Sequence, residues 1–198
     1  MEEESDAALI ARSIAEPVSF AQLFDRHAAV LQRFLVRRVG ADAADGLVGE
    51  TFRIAFETRG RYDTARPAAL PWLYGIATHL IGKHRRAEAR RLRATAALAA
   101  QRMPDGDAGE RVGADLDARR LFARVADAIA ELPDGERDAL LLFVWEELSY
   151  DAIAAALEIP LGTVRSRLNR ARVRLRELAG GSGEEGSTGP ARRRTIEP

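Results

Sequence analysis

The stretch from Ser149 to Leu178 reads SYDAIAAALEIPLGTVRSRLNRARVRLREL. Its reading decides the fold. Ser149 precedes a short alanine-rich run, Glu158 to Pro160 break it, and a second periodic run begins at Leu161. Val164, Leu168, Ala171, Leu175 and Leu178 recur at i, i+4, i+7, i+11 and i+14, one stripe of a 3.6-residue helix. Arg165, Asn169, Arg172 and Arg176 form a second stripe, flanked by Arg167, Arg170 and Arg174. Two helices around a tight turn, the second split into an apolar and an arginine face, make a helix-turn-helix. Arginine and asparagine form paired hydrogen bonds to guanine and adenine edges, and arginine also grips phosphate. The N-terminal half of the second helix is the part that enters a major groove. That nominates Thr163, Arg165, Ser166, Arg167, Asn169 and Arg170 as duplex DNA contacts.

Upstream of this motif the pattern stays helical. A helix is expected over 18–39, with Phe20, Leu23, Phe24, His27, Leu31 and Phe34 on its apolar face and Gly40 as its stop. Asp42 is placed to cap a second helix through Thr58, with Leu47, Phe52 and Phe56 inward. A loop covers 60–67. A long helix follows to Arg93, starting near Pro67 or later at Pro71. Residues 100–114 lack an apolar period and carry Pro104, Gly106 and Gly109, the composition of a linker. Further helices are expected over 117–132, 134–146, 149–157 and 161–178, with Asp134 and Ser149 as N-caps. Residues 180–190 are too polar and glycine-rich to pack. The fold class is therefore all-α: two small helical domains joined by a flexible acidic linker, the second carrying the helix-turn-helix.

Formal net charge is zero over 198 residues, but the charge is segregated. Residues 16–93 hold 14 basic and 8 acidic side chains, whereas 118–160 hold 4 and 9. Residues 161–178 hold six arginines against Glu177. Two basic surfaces separated by acidic segments imply two nucleic-acid contacts made by two modules. The third helix carries a stripe of Trp72, Gly75, His79, Lys83 and Arg86. An aromatic beside a glycine and a row of cations is what single-stranded nucleic acid requires, since bases stack on the ring and cations hold the backbone. Alternatively, Trp72 is half-buried packing against the 60–67 loop.

The composition excludes several classes. No apolar run is long enough to span a membrane. The acidic start, Met1 to Asp6, is no secretory signal. With no cysteine there is no disulfide framework or thiolate metal site. No Walker loop or paired-histidine motif is present, and His27, His79 and His84 are scattered. Catalysis, a metal and a cofactor are therefore not expected. A cytoplasmic location fits all of this.

Three motifs in order resemble a family. Ala44-Asp45-Gly46-Leu47-Val48-Gly49-Glu50-Thr51-Phe52 resembles the core-polymerase-binding motif of bacterial sigma factors. Pro71-Trp72-Leu73-Tyr74-Gly75-Ile76-Ala77-Thr78-His79-Leu80 resembles the helix they use on the −10 promoter element. Leu132 through Leu178 is similar to their −35-reading domain. Order, spacing and length resemble the extracytoplasmic-function group of the sigma-70 family. The resemblance implies a region 2-like domain over 17–93, a linker over 94–117, a region 4-like domain over 118–178 and a disordered tail over 179–198. It implies core RNA polymerase binding through Asp45, Leu47, Glu50 and Phe52. It implies capture of the melted −10 strand by Arg61, Trp72, His79, Lys83 and Arg86. Partners implied are core polymerase, promoter DNA and an anti-sigma factor. Gly46, Gly49, His79 and Glu158 depart from the family pattern. The competing reading is a stand-alone helix-turn-helix regulator. Such a protein dimerises on two half-sites and would leave 17–93 without a role.

Overall fold

The computed structural model describes residues 4–100 and 116–180, and the side-chain surroundings of 4–94 and 124–178. Every regular element there is helical. The expected linker core at 101–115 and the glycine-rich tail at 181–198 lie outside the described residues.

The chain opens with a helix the periodicity reading passed over, α1 (Asp6–Ala15). Ser5 caps it, its Oγ accepting the Ala8 amide at 3.2 Å. Leu9 and Ile10 bury completely. Asp6 then fixes α1 to the rest of the bundle. Its carboxylate accepts the Ala69 amide at 2.9 Å and Arg26 Nη1 at 3.2 Å. His27 Nε2 lies 2.7 Å from its second oxygen. One side chain thus joins α1, α2 and the strand of chain entering α4. Burial alone would raise its pKa, but the Ala69 amide, His27 and Arg26 together hold it below the ordinary value.

A turn of 3-10 helix, Pro17–Phe20, leads into α2 (Ala21–Val39). The α-helix therefore starts about one turn later than the expected Val18, because Pro17 opens a tighter turn first. Gly40 ends α2 at φ +82°, a conformation open to glycine and strained for other residues. The helix α3 (Ala41–Thr58) starts immediately after it. Asp42 is not its cap: Gly40 holds that position, and Asp42 falls inside the first turn without a capping bond. Its charge still favours the positive helix end. The long α4 (Leu70–Ala100) has Pro71 in its first turn, where no amide partner is lost. It runs seven residues beyond the expected end at Arg93. Leu23, Leu31, Phe34, Leu35, Leu73 and Ala77 form the core of these helices. The Phe34 and Tyr74 rings meet at 4.8 Å.

The second half comprises α5 (Leu116–Glu131), α6 (Asp134–Val144), α7 (Tyr150–Ala156) and α8 (Leu161–Gly180). Ser149 caps α7 as expected, accepting the Ala152 amide. Pro133, not Asp134, occupies the α6 cap; Asp134 is the first helical residue and pairs with Arg137. Val164, Leu168 and Ala171 are fully buried, so the apolar stripe of α8 is its core face. Leu178, at the end of that stripe, is exposed. Glu158 turns the chain at φ +52°.

The halves touch. The α7 helix packs on α4. Arg38 of α2 pairs with Asp138 of α6, and Arg37 pairs with Glu146. The Tyr74 hydroxyl also donates to Glu146.

Replacing Asp6 by Ala is expected to cost about 1–3 kcal/mol at neutral pH. Because the folded-state pKa of Asp6 is depressed, its contribution is present above the unfolded value of 3.8. It is lost as pH falls through the lower folded value. Urea titrations should therefore show a gap between variant and parent at pH 7 that closes in acid.

Candidate nucleic-acid interface

The arginines of α8 divide by partner. Arg165 and Asn169 project from the helix with no side-chain partner among the described residues. Arg170 Nε donates to Glu136 Oε1 at 2.9 Å, and Arg174 Nε lies 3.3 Å from Glu136 Oε2. Glu136, on α6, is itself buried. Arg172 stacks over Phe143 at 5.4 Å. Arg167 folds the other way, its Cζ only 2.8 Å from where a Cβ on Gly135 would stand. Ser166 is turned back onto the Thr163 carbonyl at 3.0 Å. The face offered to a groove is thus centred on Arg165 and Asn169, with Arg170 tethered beside it.

On α4, Trp72 is half-buried and packs on Tyr62 with ring centroids 5.0 Å apart. Tyr62 is locked by its hydroxyl, which lies 2.7 Å from the Arg66 carbonyl and 3.0 Å from that of Ala68. Burial, with Asp6 nearby, pushes the Tyr62 phenol up to about 12. So Trp72 does pack against the loop, and its free side lines a cleft of about 980 Å³. Arg61, His79 and Arg86 line the same cleft. The structure therefore brings together four of the five residues of this set. Lys83 is exposed outside the cleft and acts electrostatically on Glu50.

The α3 set does not form one face. Asp45 leans toward α2 and accepts the Gln32 amide. Glu50 is held by Arg53 through two contacts, at 2.8 and 2.6 Å. That bidentate pairing comes first among the causes that lower its pKa. Leu47 is half-buried. Phe52 is only 6% exposed; Phe24, 44% exposed, lies against it at 4.8 Å between centroids. The aromatic that reaches solvent here is Phe24, which the sequence pattern had placed in the core. Gly46 and Gly49 are open to solvent: a Cβ at either would meet nothing within 4 Å.

Residues 23–91 match sigma-70 region 2, and residues 122–175 match sigma-70 region 4. The chain is 37% identical over 140 residues to the ECF RNA polymerase sigma factor SigC of Mycobacterium tuberculosis (strain CDC 1551 / Oshkosh), covering 71% of this chain and 72% of that protein. The chain belongs to the extracytoplasmic-function group of the sigma-70 family. Sigma factors of this family are not enzymes. Among solved structures, CnrH in complex with the cytosolic domain of CnrY matches with a TM-score of 0.60 and 24% identity, over 90% of this chain and 99% of that one. The sigma factor RpoE, in complex with the anti-sigma factor NepR from Bartonella quintana, matches with a TM-score of 0.55 and 23% identity, over 82% and 98%. Those two likenesses are of fold.

Region 2 and region 4 meet through residues that the motifs did not single out. Arg38 has a side chain 1% exposed, and its pair with Asp138 bridges the regions. Burial lowers the Arg38 pKa and raises that of Asp138, each partly restored by the other. Arg37 also lies over the Trp145 ring at 5.1 Å. No spacing rule marks these residues. The excess of acid over 118–160 facing the excess of base over 16–93 was the one available signal. Among the described residues, no group of acids and histidines could hold a metal ion, and no helix is long and apolar enough to cross a membrane.

Substituting Glu136 by Gln removes the charge that Arg170 and Arg174 share. A loss of roughly 1–3 kcal/mol in region 4 stability is expected, read as an earlier thermal transition by circular dichroism.

Proposed function

We propose that this sigma factor binds core RNA polymerase and directs initiation at promoters carrying two elements. Region 4 reads the −35 duplex with α8: Arg165 and Asn169 address base edges, while Thr163, Ser166, Arg167 and Arg170 fix the helix on the backbone and the groove walls. Region 2 takes the melted −10 strand along Arg61, Trp72, His79, Lys83 and Arg86. An unstacked base lies by the 60–67 loop, where flipping costs a few kcal/mol and stacking offsets it. The α3 helix meets the polymerase, with Asp45, Leu47 and Glu50 at its surface and Phe52 holding the exposed Phe24 ring from beneath. The two domains span 17–93 and 118–178, and the 94–117 segment carries its acidic charge through the polymerase between them. Two weak DNA contacts on one rigid enzyme act together, so a promoter is held that neither region holds alone. An anti-sigma factor is the natural antagonist in the cytoplasm. No cofactor takes part.

The observation that carries this reading is the pair of basic surfaces on two matched regions in the family order. One is an unpaired Arg165–Asn169 face on a recognition helix, the other the α4 wall of a cleft, where Trp72, His79 and Arg86 lie together.

Two substitutions separate the roles. Arg165→Ala is expected to weaken holoenzyme binding to a promoter duplex by about 1–3 kcal/mol, leaving core affinity unchanged. Unaltered promoter affinity would remove α8 from −35 reading. Glu50→Ala is expected to lower affinity for sigma-free core polymerase, measured by fluorescence anisotropy of labelled protein. Equal affinity would remove Glu50 from that interface.

A further inference from the structure

The 60–67 loop is gripped at both of its roots by α1. At the root that enters α4, the Asp6 carboxylate accepts the Ala69 amide at 2.9 Å, and the Ala7 amide donates to the Pro67 carbonyl at 3.3 Å. The Ala7 amide lies in the first turn of α1, where amides have no partner within their own helix, and Pro67 supplies one. Ala69 starts α4: its carbonyl accepts the Leu73 amide at 3.0 Å, but its methyl side chain offers the helix start no acceptor. Asp6 brings a negative charge there from another helix, at the end where the α4 dipole favours one. At the root that leaves α3, Arg59 Nε donates to the Ser13 carbonyl at 3.3 Å. Ile14 Cδ1 lies 3.9 Å from where a Cβ on Gly60 would stand. Between the roots Tyr62 is buried and residues 63–68 are exposed. The loop has no core of its own, so its roots and the Tyr62 ring set its position.

We propose that α1 is a brace for the −10 loop and that Asp6 is a specificity-determining positioning residue, which sets through the Ala69 amide where the loop stands relative to Trp72 and so which base is accepted beside it. The inference rests on the reading of α4 and this loop as the −10 surface. Asp6 is buried, so it acts through Ala69 rather than by touching DNA. Arg26 and His27 hold its carboxylate from the α2 side, which aims it at the amide. Leu9 and Ile10, wholly buried, fix α1 in the region 2 core, so both roots are set by one rigid element. Tyr62 carries that position onward: its hydroxyl is held by the Arg66 and Ala68 carbonyls, and its ring packs on Trp72. Asp63, Ala65 and Arg66 then stand beside Trp72 on the cleft. Discrimination between bases needs polar groups held in one place by a supporting shell. A loop freed at its roots samples many positions and accepts different bases more evenly.

The test uses holoenzyme assembled from the full chain and sigma-free core polymerase. Its probes are premelted promoters that vary each −10 base in turn, built on a start site mapped with the parent holoenzyme. The parent is expected to prefer the best base over the worst by about tenfold or more at one position or another. Asp6→Ala is expected to shrink that ratio to about threefold or less while affinity for core stays unchanged. Asp6→Asn keeps an oxygen for the Ala69 amide and gives up the charge beside Arg26. It should restore the parent ratio, which a role confined to the ion pair would not allow. Arg59→Leu leaves Asp6 and its partners intact and loosens the other root, so it tests the brace even where Asp6→Ala does not fold. The ratio should shrink there too, whereas loss of a phosphate contact would weaken all the promoters alike. Hydrogen exchange over 59–69 in the holoenzyme should quicken in both loosened variants, with 47–56 unchanged. A parent ratio retained in Arg59→Leu or in folded Asp6→Ala, or one that Asp6→Asn fails to restore, overturns the proposal alone. A parent holoenzyme with no preference at any −10 base overturns the −10 reading, and the proposal with it.

Discussion

The arrangement of this molecule depends on one backbone contact, α7 lying against α4 at Gly75. Close approach of two helices needs small residues on both sides, and Gly75 with the alanines of α7 supplies them. Once the backbones meet, the flanking charges fall into register. Arg38 reaches Asp138, and Glu146 takes both Arg37 and the Tyr74 hydroxyl.

The same contact explains why Tyr74 and Glu146 are bound so differently from ordinary surface groups. Tyr74 is buried between Phe34 and region 4, and burial together with the Glu146 carboxylate raises its phenol pKa. A phenol kept neutral serves as a donor, and Glu146 needs one. Surface pairs such as Arg53 with Glu57 contribute little, since solvent screens them. The buried pairs set geometry more than stability, because desolvation consumes much of their attraction. An interface made this way fixes a docking position while leaving the two regions able to part.

How much was legible in the sequence follows from which forces act locally. The α8 helix was read correctly because burial of Val164, Leu168 and Ala171 writes a 3.6-residue period into the chain. Ser149 was legible as a cap because capping needs a hydroxyl at one position and an amide three residues on. Asp42 and Asp134 looked like caps by the same rule, but Gly40 and Pro133 already held those positions. Helix α1 was missed because only Leu9, Ile10 and their neighbours carry its apolar face, and its anchor is Asp6, a carboxylate bonded to residues about twenty and sixty positions away. Partners that distant leave no periodic mark. The same holds for the candidate site: the cations of α4 were visible as a stripe, but the turn of Arg167 into the cleft and the covering of Gly75 were not.

The most direct test of this account is to combine the purified chain with sigma-free bacterial core polymerase and map the transcripts started from genomic DNA. A sigma factor with two reading surfaces predicts discrete start sites, each preceded by two sequence elements at a fixed spacing. Initiation no different from that of core polymerase alone would contradict it.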